Sequence, residues 1–261
     1  MSDNLDSETR PSYIKRVERI NPEKQLTDVL TQKFGQKFSD YRKEYFKILD
    51  NKNNNYDYVP DYPLNVLVEV VNKCNLECIM CLSSHRKGDT KVISNETISK
   101  LLTEFKENNL PALMFGAGDE PLMFSDIDQM WKEANLSGIM DIFIFTNGTL
   151  LNEDMCNKIL EHEVSRVYIS LDAATEETYQ KIRLTNKKID EEVTGNEKLK
   201  IINEEQNRLQ SIENNIKKLI EMRNSRKLQL PQIRVSYTVQ YRNKHEIDMF
   251  KEKWENVVDF I

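Results

Sequence analysis

The pattern of apolar and polar positions after Pro63 predicts strands that alternate with helices. Short apolar runs, rich in β-branched side chains, are separated by stretches in which apolar residues recur at steps of three or four. The predicted strands are 65–71, 111–115, 141–145, 165–171 and 232–239, with the start of a sixth at 257–261. The predicted helices are about 95–108, a helix from about 125, 153–162 and 245–255. Such alternation is typical of a parallel sheet with helices outside.

The number of strand–helix units favours an open sheet over a closed one. A closed TIM barrel needs eight βα units, and the chain offers five to six. The sequence therefore predicts an α/β protein whose core, over residues 63–261, is an open, partial (β/α) barrel of TIM-like type. Between strands four and five, residues 184–230 are charged, with apolar residues at helical spacing. This stretch predicts a helical insertion followed by an ordinary barrel helix.

Residues 1–62 are predicted to form a helical extension and a linker. Apolar side chains recur at helical spacing from Pro22 to about Asn51, which favours one helix packed against the main domain. Gly35 is a weak point in that helix, because glycine is a poor helix former. Residues 51–63 are polar and contain two prolines, as is typical of a linker.

Composition limits the classes of partner and the cellular compartment. The formal net charge of −6 gives no electrostatic footprint for nucleic acid or an anionic membrane. The chain opens on acidic and polar residues, which predicts no secretory signal, and no apolar run approaches the ~20 residues that span a bilayer. Three of the four cysteines are clustered without partners elsewhere, so a reducing, cytoplasmic setting is expected.

The clustered cysteines indicate a metal centre. Cys74, Cys78 and Cys81 follow the first predicted strand with the spacing C-x3-C-x2-C. Three thiolates can hold a four-iron cluster and leave one iron free to bind a small molecule. His85 follows Cys81 by four positions, so a four-coordinate zinc site is the alternative. The fourth cysteine, Cys156, lies on the apolar side of a predicted helix and is predicted to be a core residue.

Glycine and polar residues mark the ends of the next three predicted strands. Strand two is followed by residues 116–121, with sequence Gly-Ala-Gly-Asp-Glu-Pro, and strand three by 146–148, with sequence Thr-Asn-Gly. Strand four ends in Ser170-Leu-Asp172. The carboxyl ends of parallel strands share one edge of a sheet, where α/β proteins place ligands. Bare glycine backbone lets a ligand come close there.

Together these motifs resemble those of the radical S-adenosylmethionine (radical SAM) enzymes. The segment 69–81, with sequence Glu-Val-Val-Asn-Lys-Cys-Asn-Leu-Glu-Cys-Ile-Met-Cys, is especially similar to the branch that often carries a C-terminal SPASM or twitch domain. Residues 118–121 are similar to the Gly-Gly-Glu-Pro segment of the family, with Asp119 in place of the second glycine. Compared with that pattern, the sequence is expected to lack the last strands of the family and the cysteines for auxiliary clusters.

The resemblance implies a mechanism and a set of site residues. The cysteines would hold a 4Fe–4S cluster, and SAM bound to it would be cleaved to a 5′-deoxyadenosyl radical. An electron donor such as flavodoxin or ferredoxin would first reduce the cluster. The radical would then take a hydrogen atom from a peptide, sugar or small metabolite. The cofactor carries the chemistry, so no side chain is assigned a catalytic role.

The resemblance also assigns the SAM contacts by position, at six residues of this chain. The implied contacts are Gly118, Asp119 and Glu120 at the methionine amino group, Ser170 and Arg183 at the carboxylate, and Met80 near the adenine. An alternative that the sequence leaves open is a non-catalytic iron–sulfur scaffold, a partner subunit or a gene fragment.

Overall fold

The computed structural model describes residues 22–49, 59–85, 88–183 and 207–261. The predicted insertion at 184–230 is therefore described only from residue 207 onwards, and most of the predicted linker at 51–63 lies outside the described residues. The division into an extension over 1–62 and a core over 63–261 stays a prediction. No helix in the described ranges combines the length and the apolar character that crossing a membrane requires.

Five parallel strands form one sheet, in the order in which they occur along the chain. The strands are β1 (Asn65–Val68), β2 (Ala112–Phe115), β3 (Asp141–Thr146), β4 (Arg166–Ser170) and β5 (Gln232–Ser236). The helices are α1 (Pro22–Phe34), α2 (Gln36–Leu49), α3 (Asn95–Glu107), α4 (Ile127–Leu136), α5 (Glu153–Glu161), α6 (Glu176–Ile182), α7 (Arg208–Ser225) and α8 (Ile247–Trp254). Short 3-10 helices lie at Leu82–His85, Pro121–Met123 and Lys244–Glu246. This arrangement confirms the predicted α/β fold.

Alternate residues of β2, β3 and β4 pack into two separate cores, because successive side chains of a strand point to opposite faces. Side chains such as Leu113, Ile144 and Val167 belong to the core that includes residues of helices α3–α8. Their neighbours Phe143 and Tyr168 lie on the other face, in a second cluster with apolar residues of α1 and α2. The two N-terminal helices thus pack on one face of the sheet, and helices α3–α8 on the other.

The N-terminal helix predicted to run through Gly35 is instead two helices. Gly35 adopts φ +65, a left-handed conformation that glycine reaches without the steric penalty of a side chain. Its N–H still donates to the carbonyl of Thr31 at 2.8 Å, which closes the end of α1. The prediction of one continuous helix was wrong at this residue, although the apolar stripe continues through both helices and buries Leu30 and Phe38.

Several predicted strands are shorter than their apolar runs, including the fifth, which ends at Ser236 and not at residue 239. The first ends at Val68, because Val71 leaves the sheet and forms an isolated antiparallel bridge with Val92. The start of a sixth strand is represented by a single parallel bridge between Phe260 and Arg234. An apolar run shows that residues are buried, but it does not show which backbone they pair with.

Helix α6 is held in place by a carboxylate from another part of the chain. Glu246 is buried, and its two oxygens accept hydrogen bonds from the N–H groups of Ala174 and Thr175 and from the hydroxyls of Thr175 and Thr178. These groups surround the amino end of α6, where backbone N–H groups lack partners within the helix. Burial raises the pKa of Glu246, and these hydrogen bonds lower it by more. The contact fixes α6, which ends beside Arg183.

Candidate active site at the carboxyl ends of the strands

The three clustered cysteines lie on the loop that follows β1. All are free thiols; Cys78 is buried, and Cys74 and Cys81 are half-buried. The N–H of Cys81 donates to the carbonyl of Cys78 at 3.0 Å, a tight turn just before the 3-10 helix at Leu82–His85. Burial, together with the nearby Glu120 and Cys78, raises the pKa of Cys74 to about 12, against the opposing effect of the hydrogen bond from the N–H of Leu76. Burial and Cys81 likewise raise the pKa of Cys78, so the three sulfurs are electrostatic neighbours.

This set of donors fits an iron–sulfur cluster. Thiolates are the usual ligands of such clusters, and three on one loop leave one iron of a four-iron cluster free. In the ranges that the structure describes, no three His, Cys, Asp or Glu side chains converge as a single metal ion requires. A four-iron cluster does not need that convergence, because each thiolate binds a different corner. The side chain of His85, on which the zinc alternative depends, lies outside the described side chains.

Glu120 is a buried carboxylate at the end of β2. Its oxygens accept hydrogen bonds from the hydroxyl of Thr146 at 2.7 Å and from the N–H groups of Asn147 at 2.7 Å and Leu122 at 3.2 Å. Burial raises the pKa of Glu120 to about 7, against the opposing effect of these donors. The N–H of Glu120 donates to the carbonyl of Lys73 at 3.1 Å. The carboxylate is therefore fixed beside the cysteine loop, in a place where a cationic ligand would stabilise its charged form.

A second carboxylate supports the same loop. Glu69, directly after β1, accepts hydrogen bonds from the N–H groups of Ala117 and Gly118, both at 2.8 Å, through one oxygen. Gly118 is a predicted site residue, so Glu69 fixes the backbone on which the prediction depends. Sequence reasoning quoted Glu69 within the cysteine segment but gave it no role, since only the pairing of β1 with β2 brings the two loops together.

The side chain of Asp119 is turned towards the cysteine loop. Its Oδ1 accepts a hydrogen bond from the hydroxyl of Ser83 at 2.5 Å. Ser83 belongs to the 3-10 helix that follows Cys81. The residue that replaces the second glycine of the family pattern therefore joins the loops after β1 and β2.

Gly116 shows how closely the backbone segments approach at this edge. A Cβ added there would lie 2.6 Å from Cδ of Pro121 and 2.7 Å from the carbonyl oxygen of Phe145, and the residue has φ +72. Both the conformation and the space require glycine. The end of β2 is thus held against the end of β3 without any intervening side chain.

We expect Gly116→Ala to destabilise the protein well beyond the strain of a left-handed alanine. Gly138→Ala is the matched control, because Gly138 has φ +88 but no heavy atom within 4 Å of an added Cβ. The control should lose about 1–2 kcal/mol of unfolding free energy, and Gly116→Ala about 1–3 kcal/mol more because of the overlap. Urea unfolding of the two variants measures the difference, and equal losses would show that the close approach is absent.

Arg183 and Asp172 form a buried ion pair near the cysteine loop. Nη2 of Arg183 lies 2.6 Å from Oδ2 of Asp172, and the side chains are 8% and 1% exposed. The N–H of Ile79 donates to the carbonyl of Ile182 at 3.0 Å, which joins the cysteine loop to the end of α6. The Arg183 charge lowers the pKa of Cys78, against the larger effect of burial. Burial alone would lower the pKa of Arg183, and Asp172 and Cys78 more than reverse that effect.

The Nε donor of Arg183 is a candidate ligand contact. Within the part of the chain that the structure describes, the buried Nε of Arg183 has no hydrogen-bond partner. Ser170, the other residue predicted for the SAM carboxylate, is half-buried at the end of β4, with its hydroxyl 3.4 Å from that of Ser236. An orphaned guanidinium donor suits an anion such as a carboxylate.

The loops after the first four strands thus bring most predicted residues to one edge of the sheet. The cysteine loop contacts Glu120 through Lys73, Asp119 through Ser83, and the residue before Arg183 through Ile79. Met80 lies on the cysteine loop between two of the thiols and is 37% exposed.

Comparison with known proteins identifies the family. The model of the radical SAM superfamily matches residues 68–226. The chain belongs to the radical SAM superfamily. Members of this superfamily are enzymes that use a 4Fe–4S cluster and SAM, so the predictions of family, enzyme class and cofactors are confirmed. The family gives no support to the zinc alternative.

Relatives with curated names match part of their length. A probable GTP 3′,8-cyclase of Methanocaldococcus jannaschii is 31% identical over 119 residues, which are 44% of this chain and 38% of that protein. A 7,8-dihydro-6-hydroxymethylpterin dimethyltransferase of the same organism is 31% identical over 116 residues, 43% of this chain and 23% of that protein. The chain therefore spans well under half the length of these radical SAM relatives.

A solved structure supports the fold. Streptococcus suis SuiB, bound to the precursor peptide SuiA, aligns with 86% of this chain and 42% of its own, with a TM-score of 0.52 and 16% sequence identity. At this identity the likeness shows the fold alone, a radical SAM partial barrel.

Proposed function

We propose that Cys74, Cys78 and Cys81 hold a 4Fe–4S cluster and that the adjoining loops bind SAM against it. Reductive cleavage of SAM at such a cluster gives methionine and a 5′-deoxyadenosyl radical, which takes a hydrogen atom from a peptide, sugar or small metabolite. The observation that carries this proposal is the arrangement of three free thiols beside a buried carboxylate and a buried guanidinium. All of them lie on loops at one edge of the sheet.

The two buried charges suit the two charged groups of methionine. Glu120 would accept from the ammonium group, and the charge of that group would favour the ionised carboxylate that burial disfavours. Arg183 would donate from Nε to the carboxylate while Asp172 keeps the guanidinium oriented. Ser170 offers a hydroxyl on the same side of the site, and Met80 a polarizable thioether for the adenine.

Asp119 and Gly118 complete the amino-group site in this proposal. The N–H of Gly118 is engaged by Glu69, which fixes the loop whose Gly118 carbonyl would accept from the ammonium group. Asp119 binds Ser83 instead of standing as an isolated charge. We infer that Asp119 tightens the contact between the two loops and leaves room for the ammonium group of SAM.

Anaerobic reconstitution tests the proposal directly. The reconstituted chain should contain about four iron and four sulfide, and addition of SAM should change the EPR signal of the reduced cluster. Release of 5′-deoxyadenosine under reducing conditions would complete the assignment, with dithionite in place of the flavodoxin or ferredoxin that we propose as the physiological donor. One zinc per chain without iron uptake would contradict the proposal.

A non-catalytic role is the second candidate, because Asp119 puts a charged side chain where the family pattern has its second glycine. An iron–sulfur scaffold or partner subunit would take up the cluster but would not cleave SAM. The same preparation separates the two functions: iron uptake with an EPR signal that SAM leaves unchanged would favour the scaffold. A cytoplasmic location is part of both proposals.

A further inference from the structure

A closed ring of hydrogen bonds joins the cysteine loop to the loop after β3. Nδ2 of Asn75 donates to Oγ1 of Thr149 at 2.8 Å, and Oγ1 of Thr149 donates to Oδ1 of Asn147 at 2.5 Å. Nδ2 of Asn147 donates to Oδ1 of Asn75 at 2.8 Å, which closes the ring. Each of the three side chains donates once and accepts once within the ring, so the hydrogen bonds run in one direction and polarise one another.

A backbone donor fixes the orientation of the Asn147 amide. The N–H of Thr149 donates to Oδ1 of Asn147 at 2.9 Å, and a backbone N–H can only donate. The carbonyl side of the amide must therefore face Thr149, and the NH2 group must face the cysteine loop. One of its two hydrogens goes to Asn75, and the other is directed at the sulfur of Cys74, with Nδ2 3.6 Å from Sγ.

Cys74 thus receives two hydrogen bonds, from donors of different kinds. The N–H of Leu76 lies 3.4 Å from Sγ and comes from the cysteine loop itself. Asn147 comes from the neighbouring loop and is almost fully buried, with 6% of its surface exposed. Hydrogen bonds to cluster sulfurs are among the factors that set the reduction potential. A donor stabilises the more negatively charged state, which is the reduced one, and so raises the potential.

We propose that Asn147 is a positioning residue that donates an N–H···S hydrogen bond to Cys74 and makes the cluster easier to reduce. The inference rests on the proposed function, because Cys74 must be a cluster ligand for the hydrogen bond to act in this way. The backbone N–H of Thr149 keeps the amide aimed at the sulfur. The hydrogen bond from Asn147 to Cys74 also ties the cysteine loop to the loop after β3.

The test is an EPR-monitored redox titration of the reconstituted full chain without SAM. Asn147→Ser is the first variant, since a serine hydroxyl can still accept from the N–H of Thr149 but is too short to reach Cys74. Asn147→Ala is the second. Both should bind about as much iron as the wild type and show a more negative midpoint potential. Thr149→Val is the control: it removes the hydroxyl but keeps the backbone N–H that orients the amide, so its midpoint should stay near the wild-type value.

The outcomes separate this inference from the proposed function. Wild-type midpoints in both iron-loaded Asn147 variants would overturn the inference alone, as would an equal shift in Thr149→Val. A wild-type chain that takes up no iron would overturn the proposed function, and the inference with it. If Asn147→Ala loses its cluster, the midpoint potential of Asn147→Ser alone is compared with that of the wild type: a more negative value supports the inference, and an equal value overturns it.

Discussion

Replacing any one of Cys74, Cys78 and Cys81 with alanine is expected to abolish the cluster, whereas Cys156→Ala should leave iron content unchanged. Each of the first three supplies one of the three protein ligands that we propose, so its loss leaves a corner of the cluster without a thiolate. Cys156 lies on α5, fully buried in the apolar core, with its sulfur 3.9 Å from the carbonyl oxygen of Leu151. Its truncation should cost about 1–2 kcal/mol of stability.

The four variants are compared by iron content, by the brown absorption of the cluster and by release of 5′-deoxyadenosine. His85→Ala is a further control, which should retain the cluster but would lose metal at a Cys3His zinc site. Loss of metal in Cys156→Ala or His85→Ala would indicate four protein ligands. A site with four protein ligands has no free iron for SAM, so that result would contradict the proposal that the chain cleaves SAM.

The sequence predicted the order of strands and helices because each apolar run is local. Each of the first five predicted strands overlaps an observed one, and the parallel order follows from the alternation with helices. The predictions were wrong where backbone pairing or backbone conformation determines the end of a strand or helix. Val71 continues an apolar run but pairs with Val92, outside the sheet. Gly35 lies within an unbroken apolar stripe and still divides the helix, because its left-handed φ is not visible in the spacing of apolar residues.

The candidate site was predictable to the extent that its residues form short motifs. The cysteines and the segment that contains Glu120 stand out by spacing and by position after a strand. The roles of Glu69 and Asn147 could not be predicted, because their partners are 48 and 73 residues away in sequence, at Ala117 and Cys74. The partner of Arg183 was also missed. Asp172 was noted only as a strand end, and a buried ion pair can be recognised only once both burial and distance are known.

Asp172→Ala is expected to destabilise the metal-free chain by about 3–5 kcal/mol, since it leaves the guanidinium of Arg183 buried without its counter-charge. The variant also loses the hydrogen bond that Oδ1 accepts from the N–H of Thr238 at 2.6 Å. Asp172 has φ +60, a conformation that asparagine tolerates better than alanine. Asp172→Asn should therefore keep the backbone and the Thr238 contact, and should show the loss due to charge alone.

An exposed ion pair gives the matched control for this prediction. Lys181 and Glu177 lie one turn apart on α6, with side chains 58% and 79% exposed. Glu177→Ala should cost no more than about 0.5 kcal/mol, because water already solvates both charges. Urea unfolding gives the free energy of unfolding of each variant, and the values are compared where the dependence on urea concentration (the m-value) is equal. If Asp172→Ala costs no more than Glu177→Ala, Arg183 is solvated, and the buried anion site that we propose for the SAM carboxylate does not exist.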